Sequence, residues 1–300
     1  MLTSYPNTQR TTFSRGDFLN ILEEVIPQDD NVVVIYSGIW TFAHLFKVDP
    51  LKVSDYILDC IEYYIGKEKT LILPAFCASD FVRTKIFDIK RSLPRESGLL
   101  SISALKRKEF ARTHNPMHSY LVKGPLQKDV LNLHSTTSWG DDSILSWMVD
   151  VNARICPMGL DWNSACSPFH RIEEIFQVPY RYYKKFNGTM YNDGVFVRKC
   201  SEIKYSYPLN NILDLDYSIV IPTLRDGYKI SESSDSRILM QSSSAKDILS
   251  ATQDVLNNDI YAYVKNKHDA INWVEKFKNA EIESLAEDEI YNNVDKKNHT

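Results

Sequence analysis

One short segment of the chain combines a histidine with carboxylates at helical spacing. Residues 167–174 read SPFHRIEE, in which serine and proline suit the start of a helix and His170 would lie in its first turn. Glu173 follows at i+3 and would share its face. The positive helix end lowers the pKa of such a histidine and the carboxylate raises it, so a neutral imidazole could act as a base near pH 7. The alternative is a surface histidine in an ordinary acidic first turn.

A second segment places two histidines beside a strand-like run. Residues 111–124 read ARTHNPMHSYLVKG, with His114 and His118 spaced as H-x-x-x-H. On a helix this spacing suits a zinc site, as in a metal-dependent hydrolase, but Pro116 lies between the histidines and breaks that helix. We therefore predict no metal site. We expect His118 and Ser119, at the head of a strand, to hydrogen-bond a ligand.

Small and acidic residues lie where predicted strands and loops end. Ser37 and Gly38 follow a β-branched run and precede a helix-like segment, a junction whose backbone N–H groups can bind a phosphate; a tight turn is the alternative. Asp161 and Asn163 follow the turn after a strand, where α/β proteins commonly bind ligands. Asp142 precedes a predicted helix and is a candidate substrate contact, with helix capping as its alternative.

The elements that must position these residues alternate between strands and helices. Buried-type strands separated by helical patterns are typical of a parallel or mixed sheet covered by helices. A tyrosine-rich stretch, residues 180–207, contains the hairpin signal Asn192-Asp193-Gly194 and predicts a small antiparallel insertion. The predicted strands are 31–36, 70–73, 118–122 and 154–159, and the predicted helices are 18–25, 39 onward, 55–66, 99–108, 244–264 and 270–287. We predict an α/β fold with a mixed central sheet flanked by helices.

The composition is that of an ordinary globular protein. The chain has 300 residues, of which 43% are hydrophobic, and a net charge of −4. No basic block is dense enough for a nucleic-acid interface, and the clusters at 106–108, 181–185 and 296–297 are interpreted as solvated surface. The sequence shows neither a run long enough to cross a membrane nor an apolar leader, and its cysteines lack metal spacing. We expect one cytoplasmic domain over residues 1–300, with a polar tail at 288–300.

Several motifs follow one another in the order found in a known enzyme family. The segment RTHNPMHSYLVKG, from Arg112 to Gly124, resembles the R-S-x-H-P-x-H-S…G segment of the aminoglycoside 3-N-acetyltransferase family. The similarity extends over residues 15–200 and includes VVVIYSGIWTFAHLF at 32–46, TLILPAF at 70–76, PRESGLL at 94–100, WGDDS at 139–143 and a G…H-x-x-E pattern at 158–173. The chain departs from the family at Asn115, where the family has a histidine, and at Tyr36, where the family's H-S-S turn begins.

The resemblance implies an acyl-CoA-dependent N-acyltransferase with a fold distinct from the common GNAT acetyltransferases. It implies acetyl-CoA or another acyl-CoA as co-substrate, without a metal, and a small-molecule amine as acceptor. An aminoglycoside fits this class, and so does an activated amino-sugar used in surface-polysaccharide synthesis. A homodimer is compatible with these expectations.

The resemblance also assigns roles to residues of this chain. It places the general base on His170, oriented by Glu173, and makes residues 37–38 and 118–119 candidate CoA contacts. Direct transfer in a ternary complex is favoured over a covalent route through a cysteine such as Cys166, which is not tied by sequence to a base. The alternative function is a non-catalytic CoA- or sugar-binding relative of the same fold, and the intact H-x-x-E spacing argues against it.

Overall fold

The central element is a seven-stranded mixed sheet. The computed structural model describes residues 13–208, 213–279 and 290–291. The strands are β1 Val32–Ser37, β2 Thr70–Pro74, β3 Ile86–Asp88, β4 Ala111–Arg112, β5 Tyr120–Lys123, β6 Arg154–Met158, β7 Tyr182–Asn192, β8 Val195–Ser206, β9 Ile230–Glu232, β10 Gln241–Ser244 and β11 Ile290–Tyr291. Their order in the large sheet is β4-β5-β2-β1-β6-β10-β9. The three central strands β2, β1 and β6 are parallel, and the outer neighbours are antiparallel, so the predicted mixed sheet is confirmed.

Helices cover both faces of this sheet. They are α1 Arg15–Val25, α2 Val53–Ile65, α3 Ala78–Thr84, α4 Gly98–Leu105, α5 Gln127–Leu131, α6 Ile144–Asp150, α7 Ser167–Phe176, α8 Val220–Gly227, α9 Ala245–Asn258 and α10 Lys267–Asn279. The side chains of β1 alternate between two cores: Val32 and Val34 pack with α6, α7 and α9, whereas Val33 and Ile35 pack with α1, α2 and α4. Burial on both faces explains why β1 is a continuous apolar run.

A second, smaller sheet carries the tyrosine-rich segment. β7 and β8 form a long antiparallel hairpin, and β3 pairs with β7 in parallel while β11 pairs with β7 antiparallel. The hairpin turns at Asp193 and Gly194, whose φ angles are +54° and +82°, the left-handed conformation that such a two-residue turn requires. The N–H of Ser138 donates to the carbonyl of Ile203 (2.8 Å), which joins β8 to the loop before α6.

The structure differs from the sequence-based expectation after β1. Residues 39–45 form two short 3₁₀ turns, Ile39–Thr41 and Ala43–Leu45, instead of an α-helix. The Gly38 N–H donates to the carbonyl of Met158 (2.8 Å), so the chain continues along β6 before it turns. Of the C-terminal expectations, residues 280–287 and most of the tail at 288–300 lie outside the described residues. No helix in the described part of the chain is long and apolar enough to span a membrane.

Candidate active site

His170 lies in the first turn of α7, close to the edge where β1 and β6 end. Phe169, beside it in the sequence, is fully buried and stacks parallel to Tyr217 at 5.4 Å between ring centroids, which fixes the first turn of α7. His170 Nδ1 lies 2.9 Å from Glu173 Oε2, and the His170 side chain is 11% exposed. The helical i,i+3 spacing therefore produces the contact that the sequence predicts.

Glu173 is the most enclosed member of this site. Its side chain is fully buried, and Oε2 lies 2.7 Å from Arg181 Nη2, a guanidinium that is itself 0% exposed. The hydroxyls of Tyr180 and Tyr217 donate to the same carboxylate at 2.9 and 3.3 Å. Burial raises the pKa of Glu173, but the charge of Arg181 and the hydrogen bond from His170 lower it by more than burial raises it. The pKa is therefore below its usual value, and the carboxylate is ionised.

The interpretation of 181–185 as solvated surface is therefore wrong for Arg181. This side chain donates to Tyr205 O (2.9 Å) and the Tyr217 hydroxyl (2.9 Å) besides its contact with Glu173. A guanidinium can enter the interior when a carboxylate and further acceptors compensate for lost hydration. Its neighbours in the sequence gave no sign of this, because Arg181 precedes an amphipathic strand in which lysines are partly exposed.

The protonation state of His170 follows from these contacts. Burial lowers its pKa to about 4, with the charge of Arg181 as the second cause and Glu173 as the main opposing one. With the ionised Glu173, which can only accept, as the partner of Nδ1, the neutral imidazole carries its proton on Nδ1 and its lone pair on Nε2. Arg181 Nη2, which can only donate, also lies 3.0 Å from Nδ1. The sequence predicts the positive helix end as the cause that lowers this pKa, whereas burial and the charge of Arg181 are the largest causes in the structure.

Cys166 occupies the space in front of that lone pair. Its Sγ lies 3.5 Å from His170 Nε2, and burial raises the pKa of the thiol to about 11. No base near Cys166 is expected from the sequence, but Cys166, the N-cap of α7, and His170 are spaced i,i+4 and meet at the start of this helix. This spacing was the signal that could have found the contact.

A second histidine–carboxylate pair lies in the same region. His118 Nδ1 is 2.8 Å from Glu202 Oε1 on β8, and the Ser138 hydroxyl donates to the same oxygen at 2.6 Å. The N–H of Met117 donates to Glu202 Oε2 at 2.8 Å. Burial lowers the pKa of His118, while Glu202 opposes that change. No local spacing in the sequence indicates this pair, because its members are 84 residues apart.

Trp139 joins the two pairs into one site. Its ring centroid is 4.4 Å from that of His118 and 5.2 Å from that of His170. Trp139 is buried, and its indole nitrogen has no hydrogen-bond partner among the described residues. The segments 111–124 and 167–174 therefore both contact one aromatic ring.

Two of the predicted CoA contacts are used by the fold itself. Ser119 is 0% exposed; its hydroxyl donates to Ala75 O at 2.7 Å and accepts from Arg112 Nε at 2.9 Å. The N–H of Gly38 is bonded to Met158 O, so it is not free to bind a phosphate, and a contact of Gly38 with CoA stays a prediction. Ser37, at the end of β1, is partly exposed and stays a candidate.

The predicted substrate contacts stabilise loops around the site. Asp142 accepts from the N–H of Thr136 at 2.6 Å and from the Thr137 hydroxyl. Asp161 accepts from the N–H of Ser164 at 2.8 Å. Asn163 donates to Asp216 (2.9 Å) and accepts from the N–H of Tyr217 (2.6 Å), and Tyr217 in turn contacts Glu173. Asn163 therefore supports the site through Tyr217, and the structure does not bring the two aspartates into contact with His170.

The H-x-x-x-H spacing does not assemble a metal site. His114 is exposed, whereas His118 is buried against Glu202 and Trp139. Among the residues that the structure describes, no group of three or more histidine, cysteine, aspartate or glutamate side chains could hold a metal ion.

Comparisons with known proteins agree with this architecture. The chain resembles the apoenzyme of aminoglycoside acetyltransferase AAC(3)-IVa (14% identity, TM-score 0.66), covering 88% of this chain and 99% of that one. It also resembles AAC-IIIb in a binary complex with CoASH (15% identity, TM-score 0.67, covering 82% of this chain and 97% of that one) and YokD from Bacillus subtilis (13% identity, TM-score 0.61, covering 76% and 87%). At these identities the likeness shows the fold, and comparison with curated protein sequences gives no significant match.

A family model supplies the remaining information. The model described as aminoglycoside 3-N-acetyltransferase matches residues 48–217, which is more than half of the 300-residue chain. The match includes both histidine–carboxylate pairs and the arginine that neutralises Glu173. The chain belongs to the aminoglycoside 3-N-acetyltransferase family.

Proposed function

We propose that the protein transfers an acetyl or short acyl group from CoA to the amine of an amino-sugar, by direct transfer with His170 as general base. The observation that carries this proposal is the buried His170–Glu173–Arg181 arrangement in a chain of this family. The likeness to a structure crystallised with CoASH supports CoA as the donor.

The geometry suits proton removal from an attacking amine. Glu173 holds the Nδ1–H of His170, so Nε2 presents its lone pair toward Cys166 and the space beside it. As the amine nitrogen attacks the thioester carbonyl, the N–C bond forms and Nε2 takes the amine proton. The C–S bond then breaks, and the CoA thiolate leaves with that proton. Burial of the site strengthens each of these electrostatic interactions.

Two further side chains are proposed to contact the donor. Ser37 lies at the end of β1, next to β6, where ligands of α/β proteins commonly bind. His118 contacts Trp139, as His170 does, and its Nε2 has no hydrogen-bond partner among the described residues. Because Glu202 fixes the ring through Nδ1, the Nε2 atom is oriented for a polar atom of a substrate.

A non-catalytic binding relative is the other candidate. The buried Glu173–Arg181 ion pair argues against it, because an ionised pair without access to water carries a large desolvation cost unless other contacts compensate for it. A binding module would not require a neutral, carboxylate-oriented imidazole beside its ligand.

Thiol release from acetyl-CoA tests the proposal. The purified protein is incubated with acetyl-CoA and amino-sugars that are free, phosphorylated, nucleotide-linked or of the aminoglycoside class, and CoA thiol is followed with a thiol reagent. His170→Ala should lower kcat by about 10²- to 10⁴-fold. The control is His114→Ala, which removes an exposed histidine from the neighbouring loop and should leave kcat unchanged. Unaltered turnover by His170→Ala would contradict the base assignment, and tight CoA binding without turnover of any amine would favour the non-catalytic alternative.

A further inference from the structure

A cavity of about 700 Å³ opens between α3 and the β7–β8 hairpin. Four of its lining residues are cationic: Arg83, Lys85, Lys184 and Lys204. Its described lining includes no aspartate or glutamate.

Two of these lysines face each other across the hairpin. Lys184 on β7 is paired in register with Lys204 on β8, so their side chains leave the same face of the sheet. Like charges directly opposite each other destabilise a sheet. The Lys184 ammonium lies 5.2 Å from the ring centroid of Phe186, which keeps it on the cavity side. Such an arrangement is relieved when an anion binds between the two ammonium groups.

Arg83 is paired with Asp80 at 2.9 Å, so the inference depends on Lys184 and Lys204. The carboxylates near Lys204 are engaged elsewhere. Burial and the charge of Arg181 lower the pKa of Lys204, whereas Glu202 and Glu96 oppose that change. Glu202 is bonded to His118 and Ser138, and Glu96 accepts from the N–H of Ser79 at 2.7 Å. Within the described part of the chain, Lys204 forms no ion pair, so carboxylates act on its ammonium group only through longer-range electrostatic attraction.

The cavity adjoins the site described above. Met117, which lines it, precedes His118, and the charge of Lys204 contributes to the lowered pKa of both His118 and His170. Tyr207 also lines the cavity, and the guanidinium of Arg181 lies 5.0 Å from the centroid of its ring. A molecule held in this cavity is therefore next to the two histidine–carboxylate pairs.

We infer that the cavity binds the anionic end of the amine acceptor, a phosphate or carboxylate group, and that the enzyme selects acidic amino-sugars over polycationic aminoglycosides. This inference rests on the proposed function and names its substrate class. Lysine and arginine attract phosphate through charge-assisted hydrogen bonds, and the same charges repel a polycation. The rings of Tyr182 and Tyr207 offer flat surfaces to the sugar.

The test compares probes that differ in charge, with CoA present at saturation so that its own phosphates are already bound. Calorimetry measures the affinity for glucosamine 6-phosphate, glucosamine and apramycin at low salt. We expect the phosphate ester to bind at least about tenfold more tightly than glucosamine, and apramycin to bind more weakly than the ester. Equal affinity for the three probes, tighter binding of apramycin, or failure of the ester to bind would overturn the inference.

Variants of the hairpin identify the group responsible. Lys184→Gln should weaken binding of the phosphate ester about tenfold without changing the affinity for glucosamine. Lys184→Arg, which keeps the charge, should bind the ester as the parent protein does. Lys199→Gln is the matched control, because Lys199 lies exposed on β8 and bonds to Thr189 outside the cavity. If Lys184→Gln instead weakens the binding of CoA and leaves the binding of the ester unchanged, the cavity is part of the CoA site and the inference is wrong. Failure of the proposed function is distinct, since it appears as no thiol release with any amine.

Discussion

Arg181 and Glu173 form an ion pair, with Nη2 and Oε2 2.7 Å apart and both side chains completely buried. Each charge alone would be costly to hold away from water, and neither has a route to solvent in the folded chain. The same carboxylate oxygen also holds His170 Nδ1. The ion pair therefore links the stability of the fold to the orientation of the candidate base.

Removal of one partner should be strongly destabilising. Arg181→Met leaves Glu173 buried without its cation and should lower the free energy of unfolding by about 3–5 kcal/mol. Urea denaturation measures the change, and Arg198→Met on the exposed part of β8 is the control, expected to change it by about 0.5 kcal/mol or less. Adding Glu173→Leu to Arg181→Met should recover part of the loss. Equal losses in the two arginine variants would show that the buried pair contributes nothing.

The lowered pKa of His170 predicts a specific acid sensitivity. In the unfolded chain a histidine titrates near 6.5, whereas the pKa of His170 in the folded protein is about 4. Between these values the unfolded state binds more protons, so the free energy of unfolding falls as the pH falls through this window. Urea titrations at pH 7 and pH 4.5 should therefore show a smaller acid-induced loss for His170→Gln than for the parent protein. NMR titration of the imidazole, assigned with the same variant, should give a midpoint well below 6.5; a midpoint near 6.5 would contradict the burial argument.

Cys166 provides the test of direct transfer. If the acyl group passes straight to the amine, Cys166→Ala retains most activity, because the thiol only occupies the space in front of Nε2. Intact-mass spectrometry after mixing with acetyl-CoA alone should detect no acetylated protein. Loss of all turnover in Cys166→Ala, together with an acetyl group on Cys166 in the parent protein, would establish a covalent intermediate instead.

Gly159, directly after β6, is at a position where the structure leaves no room for a side chain. Its φ angle is +65°, and a Cβ there would lie 2.6 Å from the carbonyl oxygen of Gly38 and 2.8 Å from Phe42. Gly159→Ala should therefore cost about 2 kcal/mol or more in unfolding free energy. Gly227→Ala is the control, since a Cβ there meets nothing within 4 Å and alanine favours the helix by up to about 1 kcal/mol. Urea midpoints that fall by the same amount for both would refute the steric argument.

Local signals made much of the fold predictable. The β-branched run of β1, the cap at Ser14 and the glycine at Gly66 each determine an element through nearest neighbours in the chain. The same is true of the contact between His170 and Glu173, which one helical turn produces. The prediction of a helix after Gly38 was wrong because a tertiary contact with Gly159 determines the backbone there. No residue close to Gly38 in the sequence indicates this contact.

Ion pairs and hydrogen bonds between charged residues of distant segments could not be predicted from the sequence. Arg181 looks like an ordinary cation just before an amphipathic strand, and Lys204 and Glu202 look like an ordinary cation and carboxylate within one. Their burial and roles depend on how the hairpin lies against α7 and the loop at 117–118, which the periodicity of the hairpin alone does not determine. Such residues become recognisable only when the neighbours that desolvate them are known.

The hairpin therefore has a consequence beyond its own sheet. It supplies Glu202 to one histidine, and the chain entering it supplies Arg181 to the carboxylate beside the other. Detachment of this hairpin would remove Glu202 from His118 and Arg181 from Glu173 at the same time. Amide hydrogen exchange along β7 and β8 would measure the equilibrium constant for such an opening, and we expect it to give the fraction of molecules in which the candidate site is not assembled.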